Sequence, residues 1–183
     1  MSFFWISVSG LGGLLYLLLK GINTLKRKKS RPAGDVNSIV RIRENVENAL
    51  ASGDITMMTA LLEATNDPLL QDALLTRIVA IYYRMRSEPA AREAFYRYSG
   101  RHIDMIPTVL TAIGQSGNDR PGRIETFKLA AIAMEEDKRY DEAIILCNKA
   151  LSYGLKNGTK TGFEGRIGRL EKKRNTARTS DSG

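Results

Sequence analysis

The first nineteen residues, MSFFWISVSGLGGLLYLLL, carry no charged side chain, and the next twelve, KGINTLKRKKSR, hold six basic groups and no acidic one. No other junction in the chain limits its fold so strongly. The uncharged run from Phe3 to Leu19, with Ile22 and Leu25 extending its apolar side, covers roughly 26–35 Å as a helix rising about 1.5 Å per residue. That brackets the hydrocarbon core of a bilayer. Phe3, Phe4 and Trp5 are suited to the interface. Ser9 and Gly13 make a small-xxx-small pair, a cue for homo-oligomer formation through the anchor. A cleaved leader would carry its positive charge before the apolar run rather than after it. A buried core helix or an interfacial segment is the other alternative, since the run is short and rich in glycine. Translocation retains Lys and Arg on the cytoplasmic face. The expectation is therefore a single-pass membrane anchor helix over residues 1–25 with the N-terminus out, then a basic linker over 26–34. Lys26, Arg27, Lys28 and Lys29 are placed to contact anionic lipid headgroups.

The net charge of +8 resembles a nucleic-acid signal until it is divided along the chain. Residues 20–31 hold +6, residues 156–183 hold +5, and the stretch 32–155 between them holds −3. Basicity confined to the ends fits a membrane surface better than a nucleic-acid footprint, so no nucleic acid is expected as a partner. The single cysteine, Cys147, permits no intrachain disulfide, which suits a reducing compartment. With one histidine, His102, it also excludes the common zinc-finger spacings.

Beyond Ser30–Gly34 the pattern is helical, with no alternating run long enough for a strand. Asp35 or Asn37 is placed to cap a first helix with Val36, Val40, Ile42, Val46 and Leu50 on its apolar side. Ser52-Gly53-Asp54 breaks it, and Asp54 caps a second helix carrying Ile55, Met58, Leu61 and Leu62. Asn66-Asp67-Pro68 stops that helix and starts a third over about 68–86, because proline is favoured in a first helical turn. Ser87-Glu88-Pro89 starts a fourth, expected to end near Gly100, and Asp104 with Pro107 starts a fifth. After the loop 114–122, helices are expected at about 123–137, 141–153 and 160–174. Many helices with short joints argue for stacked antiparallel hairpins, in which neighbours bury the faces that no hairpin buries alone.

One segment has a recognisable pattern. Phe127, Ala130, Ala131 and Met134, followed by Ala143, Cys147 and Ala150, fall at the spacings of large and small residues in a tetratricopeptide repeat. The turn text RYDEAIILCNKAL is of the same type. Small residues at Ala131, Ala143 and Ala150 let two helices approach closely, and the large ones fill the remaining space. The segment at about 124–157 thus resembles one repeat of that family. Met134 stands where tyrosine is usual, Cys147 where an aromatic is usual, and Leu155 where proline is usual. Upstream, Ala80 and Tyr83 echo the pattern but the next helix does not keep the spacing. The last helix, with Phe163, Ile167 and Leu170 on one side and Arg166, Arg169, Lys172 and Lys173 on the other, is similar to a terminal cap. With the anchor read from the uncharged run, the resemblance implies an all-α fold: a transmembrane helix followed by a tetratricopeptide-like α-solenoid of stacked helical hairpins. The helical-repeat domain covers 35–174, and a disordered basic and polar tail follows at 175–183.

The first helices of such repeats line a concave groove. Glu125, Lys128, Ile132 and Glu135 share the face of their helix that this implies for a peptide or helix of a protein partner. A second partner-binding face is offered by Arg84, Arg92, Arg97 and Arg101, which belong with Arg77 and Arg86 to an arginine-rich stretch. Arginine binds carboxylates bidentately, so these suit an acidic segment; the other reading is a solvated face with ion pairs to Asp72, Glu88 and Glu93. Tyr82, Tyr83, Phe95, Tyr96 and Tyr98 form either a stacking surface or the seam between two helices.

No catalytic set is legible. His102 has no evident nucleophile or acid partner, and Cys147 lies on the small-residue side of its helix. Gly114, Gly117 and Gly122 lack the Lys-Ser or Lys-Thr of a phosphate loop. Glu135-Glu136-Asp137 lies in a helix end and turn, without a convincing partner for acid–base work. No cofactor, metal or enzymatic activity is expected. The expectation is a membrane-anchored adaptor or scaffold at the cytoplasmic face, in assembly, transport or protein targeting. Its layout is similar to that of signal-anchored import receptors on the mitochondrial surface, and equally to that of a bacterial inner-membrane assembly factor. The alternative is a helical protein using its basic ends on nucleic acid or anionic lipid, or an enzyme accessory subunit.

Overall fold

A short run, Ser52-Gly53-Asp54, separates the first two helices of the computed structural model. Gly53 takes φ 71, a left-handed conformation that costs a residue bearing a Cβ. The Asp54 carboxylate then accepts a hydrogen bond from the Met57 amide at 3.0 Å, capping the helix that follows. The structure describes residues 36–117, 119 and 121–180. The expected anchor at 1–25, the linker at 26–34 and the headgroup contacts Lys26, Arg27, Lys28 and Lys29 lie outside the described residues. The described residues form seven α-helices and no strand. In chain order these are α1 (Val36–Ser52), α2 (Ile55–Ala64), α3 (Pro68–Arg84), α4 (Pro89–Gln115), α5 (Glu125–Glu136), α6 (Tyr140–Ser152) and α7 (Gly162–Ser180). None of them is long and apolar enough to cross a membrane.

The chain divides into two compact units. One takes in the described residues through Ala73 together with the segment from Pro107 to 120; the other takes in Leu74–Ile106 and the residues from Pro121 onward. In the first, α1 packs on α2. Val46 and Ala49 of α1 and Met58 and Leu62 of α2 are fully buried, whereas Val40, expected on the apolar side, is 48% exposed. Pro68 opens α3 as expected, with the Asp67 carboxylate accepting from the Leu69 amide at 2.9 Å. The Gln71 amide donates to the Thr65 carbonyl at 2.7 Å, closing off the carbonyl end of α2.

The second unit begins with Leu74, Leu75, Ile78 and Val79 of α3, all buried. Tyr83 meets Phe95 of α4 with ring centroids 5.5 Å apart, and Tyr82 stacks on Tyr98 at 5.7 Å. These aromatics fill the seam between α3 and α4, the second of the two roles open to them. The break expected near Gly100 is absent: α4 is one helix of 27 residues with Pro107 inside it. Proline cannot donate to the carbonyl four residues back, but the buried row Ser99, His102, Ile103 and Ile106 holds the helix face through that turn. Tertiary burial outweighs the local breaker.

In the rest of this unit α6 packs against both α5 and α7. Phe127, Ala130, Ala131 and Ala133 of α5 are buried, as are Ala143, Leu146, Cys147 and Ala150 of α6, Leu155 after it, and Phe163 and Leu170 of α7. The α6–α7 loop is organised by Asn157, itself fully buried. Its amide donates to the Gly162 carbonyl at 2.7 Å, and its carbonyl oxygen accepts from the Thr159 amide at 2.9 Å and hydroxyl at 2.7 Å. The helical pattern does not stop at residue 174: α7 runs to Ser180. Arg174 and Arg178 reach Asp141 of α6 at 2.8 and 3.0 Å along this added stretch.

Candidate functional site

The first candidate surface is one side of α5. Glu125, Lys128, Ile132 and Glu135 stand three or four residues apart, and at 3.6 residues per turn they share a face. The structure gives them different surroundings. Glu125 pairs with Arg123 at 2.8 Å and Lys128 at 3.5 Å. Ile132 is half-buried. Glu135 is engaged from α7 by Arg166 at 2.9 Å and Lys173 at 2.6 Å. The C-terminal end of this face is therefore held by α7, and its open part is Lys128 and Ile132.

The second candidate surface is not brought together. On α4, Arg97 and Arg101 share a side, while Arg92 points about 140–180° away from them around the helix. Arg84 is exposed at the end of α3, and the Arg97 guanidinium lies 5.0 Å from the centre of the Tyr98 ring. Arg92 and its neighbour Arg86 do find carboxylates, but neither Asp72, Glu88 nor Glu93. Arg86 binds Glu136 in a forked pair at 2.9 and 2.7 Å, and Arg92 binds Asp137 likewise at 3.1 and 2.5 Å. Two turns, α3–α4 and α5–α6, are thereby clamped together.

Aromatic rings complete the clamp. The Tyr96 hydroxyl donates to the second oxygen of Asp137 at 2.5 Å. Arg86 lies 3.9 Å over the Tyr83 ring and Arg139 lies 4.8 Å over the Tyr96 ring. The Arg86 hydrogen bond holds the Glu136 carboxyl below its ordinary range. Burial pushes the Asp137 carboxyl up, but hydrogen bonds from Arg92 and Tyr96 outweigh it, and the net direction is down. The Tyr96 hydroxyl is pushed up to about 12, by burial first and then by its bond to Asp137. Sequence reasoning weighed Glu136 and Asp137 only as an acid–base pair. Their partners lie 50 and 45 residues away, and no local spacing marks such a pairing.

The clamp has a pH signature. A carboxyl whose folded pKa is depressed binds fewer protons in the native state than in the unfolded one, so stability rises with pH across that window. Its contribution is present above the ordinary carboxylate pKa of about 4 and is lost as pH falls through the lower folded value. With side chains a quarter or more exposed, each pair is worth no more than about 1 kcal/mol. Glu136→Gln with Asp137→Asn is expected to lower stability to urea at neutral pH, with the difference from the parent narrowing as pH falls below the ordinary carboxylate range. A difference that stays constant with pH would mean the pairs add nothing electrostatic.

The remaining candidates lie in the core. The His102 ring nitrogen Nδ1 lies 2.7 Å from the Thr126 hydroxyl, both fully buried, which ties α4 to α5. Cys147 is buried, and burial pushes its thiol up to about 11, away from the thiolate a nucleophile needs. Among the described residues no group of three or more His, Cys, Asp or Glu is arranged to hold a metal ion. No family model, no curated protein and no solved structure matches this chain.

Proposed function

We propose that this chain is an adaptor without chemistry of its own, built on helical hairpins of the tetratricopeptide type and held at a membrane by residues 1–25. The observation that carries the reading is the fate of the repeat positions. Phe127, Ala130, Ala131, Ala143, Cys147, Ala150 and Leu155 are all buried, where α5 and α6 pack together. Small side chains in that seam bring the helices close, and the outer face of α5 around Lys128 and Ile132 stays available to a partner's helix or extended segment. Anchoring raises the effective concentration of a partner that meets the same membrane. The uncharged run 3–19 and the six basic groups of 20–31 support the location, with the helical part on the cytoplasmic side.

Fractionation of the full-length chain tests the location. It is expected in the membrane pellet after both high-salt and carbonate washing, and release by salt alone would show a peripheral protein. Protease added to the cytoplasmic face is expected to digest the helical part. Neutral residues in place of Lys26, Arg27, Lys28 and Lys29 should give mixed orientation. Digestion only from the opposite face would reverse the topology.

A further inference from the structure

Among the described residues, the cations of α7 outnumber the carboxylates they reach. Arg166 and Lys173 share Glu135, and Arg174 and Arg178 share Asp141, at 2.6–3.0 Å. Among the described residues two carboxylates thus serve these four cations. Arg169 and Lys172 of α7, and Lys138 in the α5–α6 turn, have no carboxylate within ion-pair distance among the described residues. The acids of α7 itself, Glu164 and Glu171, lie on the far side of the helix from Arg169, about 140–160° away.

These cations border an open concavity of about 690 Å³ lined by Lys138, Tyr140, Arg169, Lys172, Lys173, Thr176 and Ala177. Its size falls in the range of ligand sites, about 300–1,000 Å³. Its composition is particular: an aromatic ring and a methyl group, ringed by ammonium and guanidinium groups. The turn that supplies Lys138 is a second sign. Lys138 takes φ 60, the one non-glycine residue in the left-handed region among the described residues. A residue with a Cβ is disfavoured there by roughly 1–2 kcal/mol, and glycine or asparagine closes such a turn with less strain. A lysine at this position places its ammonium at the rim of the concavity.

We infer that this concavity receives an acidic segment of the partner protein, with carboxylates on Arg169, Lys172 and Lys138 and an apolar or aromatic side chain against Tyr140 and Ala177. The arginine fork binds a carboxylate through two parallel hydrogen bonds. Charge complementarity names the occupant: cations without carboxylates beside an aromatic ring suit a segment that carries carboxylates and an apolar side chain together. The inference rests on the adaptor reading and adds to it the place and the chemistry of the contact.

The test uses the full-length chain and a fluorescent peptide in which glutamates flank one phenylalanine. The same peptide with glutamine for glutamate, and short-chain phosphatidylserine below its micellar concentration, serve as comparisons. The parent is expected to bind the acidic peptide, more weakly as salt screens the charges, and not the glutamine peptide. Arg169→Gln with Lys172→Gln should weaken binding about tenfold, a difference of about 1.4 kcal/mol, and Lys160→Gln, at an exposed lysine of the α6–α7 loop outside the lining, should leave it unchanged. Lys138→Gly relieves the turn, so it is expected to keep or raise the thermal midpoint while weakening binding about threefold. This variant decides the matter even if the double variant misfolds. Undiminished affinity in Lys138→Gly overturns the inference. So does binding of phosphatidylserine without binding of the peptide, which would make the recess a headgroup site. If affinity is unchanged but the partner still crosslinks from α5, the recess is lost and the adaptor stays; loss of both removes both.

Discussion

Replacing Phe127 with alanine is expected to lower the stability of the C-terminal unit by about 3–5 kcal/mol. Phe127 is fully buried, its ring meets Tyr153 edge-on with centroids 6.1 Å apart, and the other buried residues of its helix, Thr126, Ala130, Ala131 and Ala133, are small. Neighbours that small cannot collapse into the space a ring vacates, so the cavity persists and its cost adds to the lost burial. Domains of this size are stable by only about 5–15 kcal/mol. The substitution should therefore move the urea midpoint of the helical circular-dichroism signal far toward water, or abolish the transition. A fall below about 1 kcal/mol would place the ring outside the core.

The opposite change in the same seam should also destabilise. Ala143→Leu and Ala150→Leu are each expected to cost about 1–3 kcal/mol, because both positions are fully buried where α6 meets its neighbours and neither has room for three more carbons. Ile145 lies between them in sequence but is 67% exposed, and Ile145→Ala should stay within about 0.5 kcal/mol of the parent. The three variants together read the phase of α6. If both leucine variants unfold at the parent's midpoint, those alanines face solvent and the repeat register is wrong. The double variant is informative too, since two residues in one seam should not add independently.

The seam was legible because its signal is local. Phe127, Ala130 and Ala131, then Ala143, Cys147 and Ala150, lie within 24 residues, and helical periodicity alone turns them to one side of each helix. Helix starts at Asp54 and Pro68 were legible for the same reason, since a cap acts on amides two or three residues away. The misreadings have the opposite origin. Gly100 and Pro107 are local breakers, yet α4 runs through both as one helix, with Ser99, His102, Ile103 and Ile106 buried alongside them. Residues past 174 look like a polar tail, yet α7 continues to Ser180, with Arg174 and Arg178 reaching Asp141 more than thirty residues away. At the candidate sites the face of α5 followed from spacing, whereas the engagement of Glu135 by α7 and of Arg92 by Asp137 did not. Lys138 carries no sequence mark at all; only the backbone conformation of its turn and the recess beside it single it out.

Adaptor binding through α5 is tested most directly by site-specific photocrosslinking of the full-length chain in its own membranes. A photoreactive residue replaces Ile132, on the open part of the α5 face, and in a parallel chain Ile145, the most exposed large apolar residue of α6. The adaptor reading predicts one discrete crosslinked product from position 132, recovered in the carbonate-washed membrane pellet, and none from position 145. No product from 132, equal products from both positions, or a product only in the soluble fraction would contradict it.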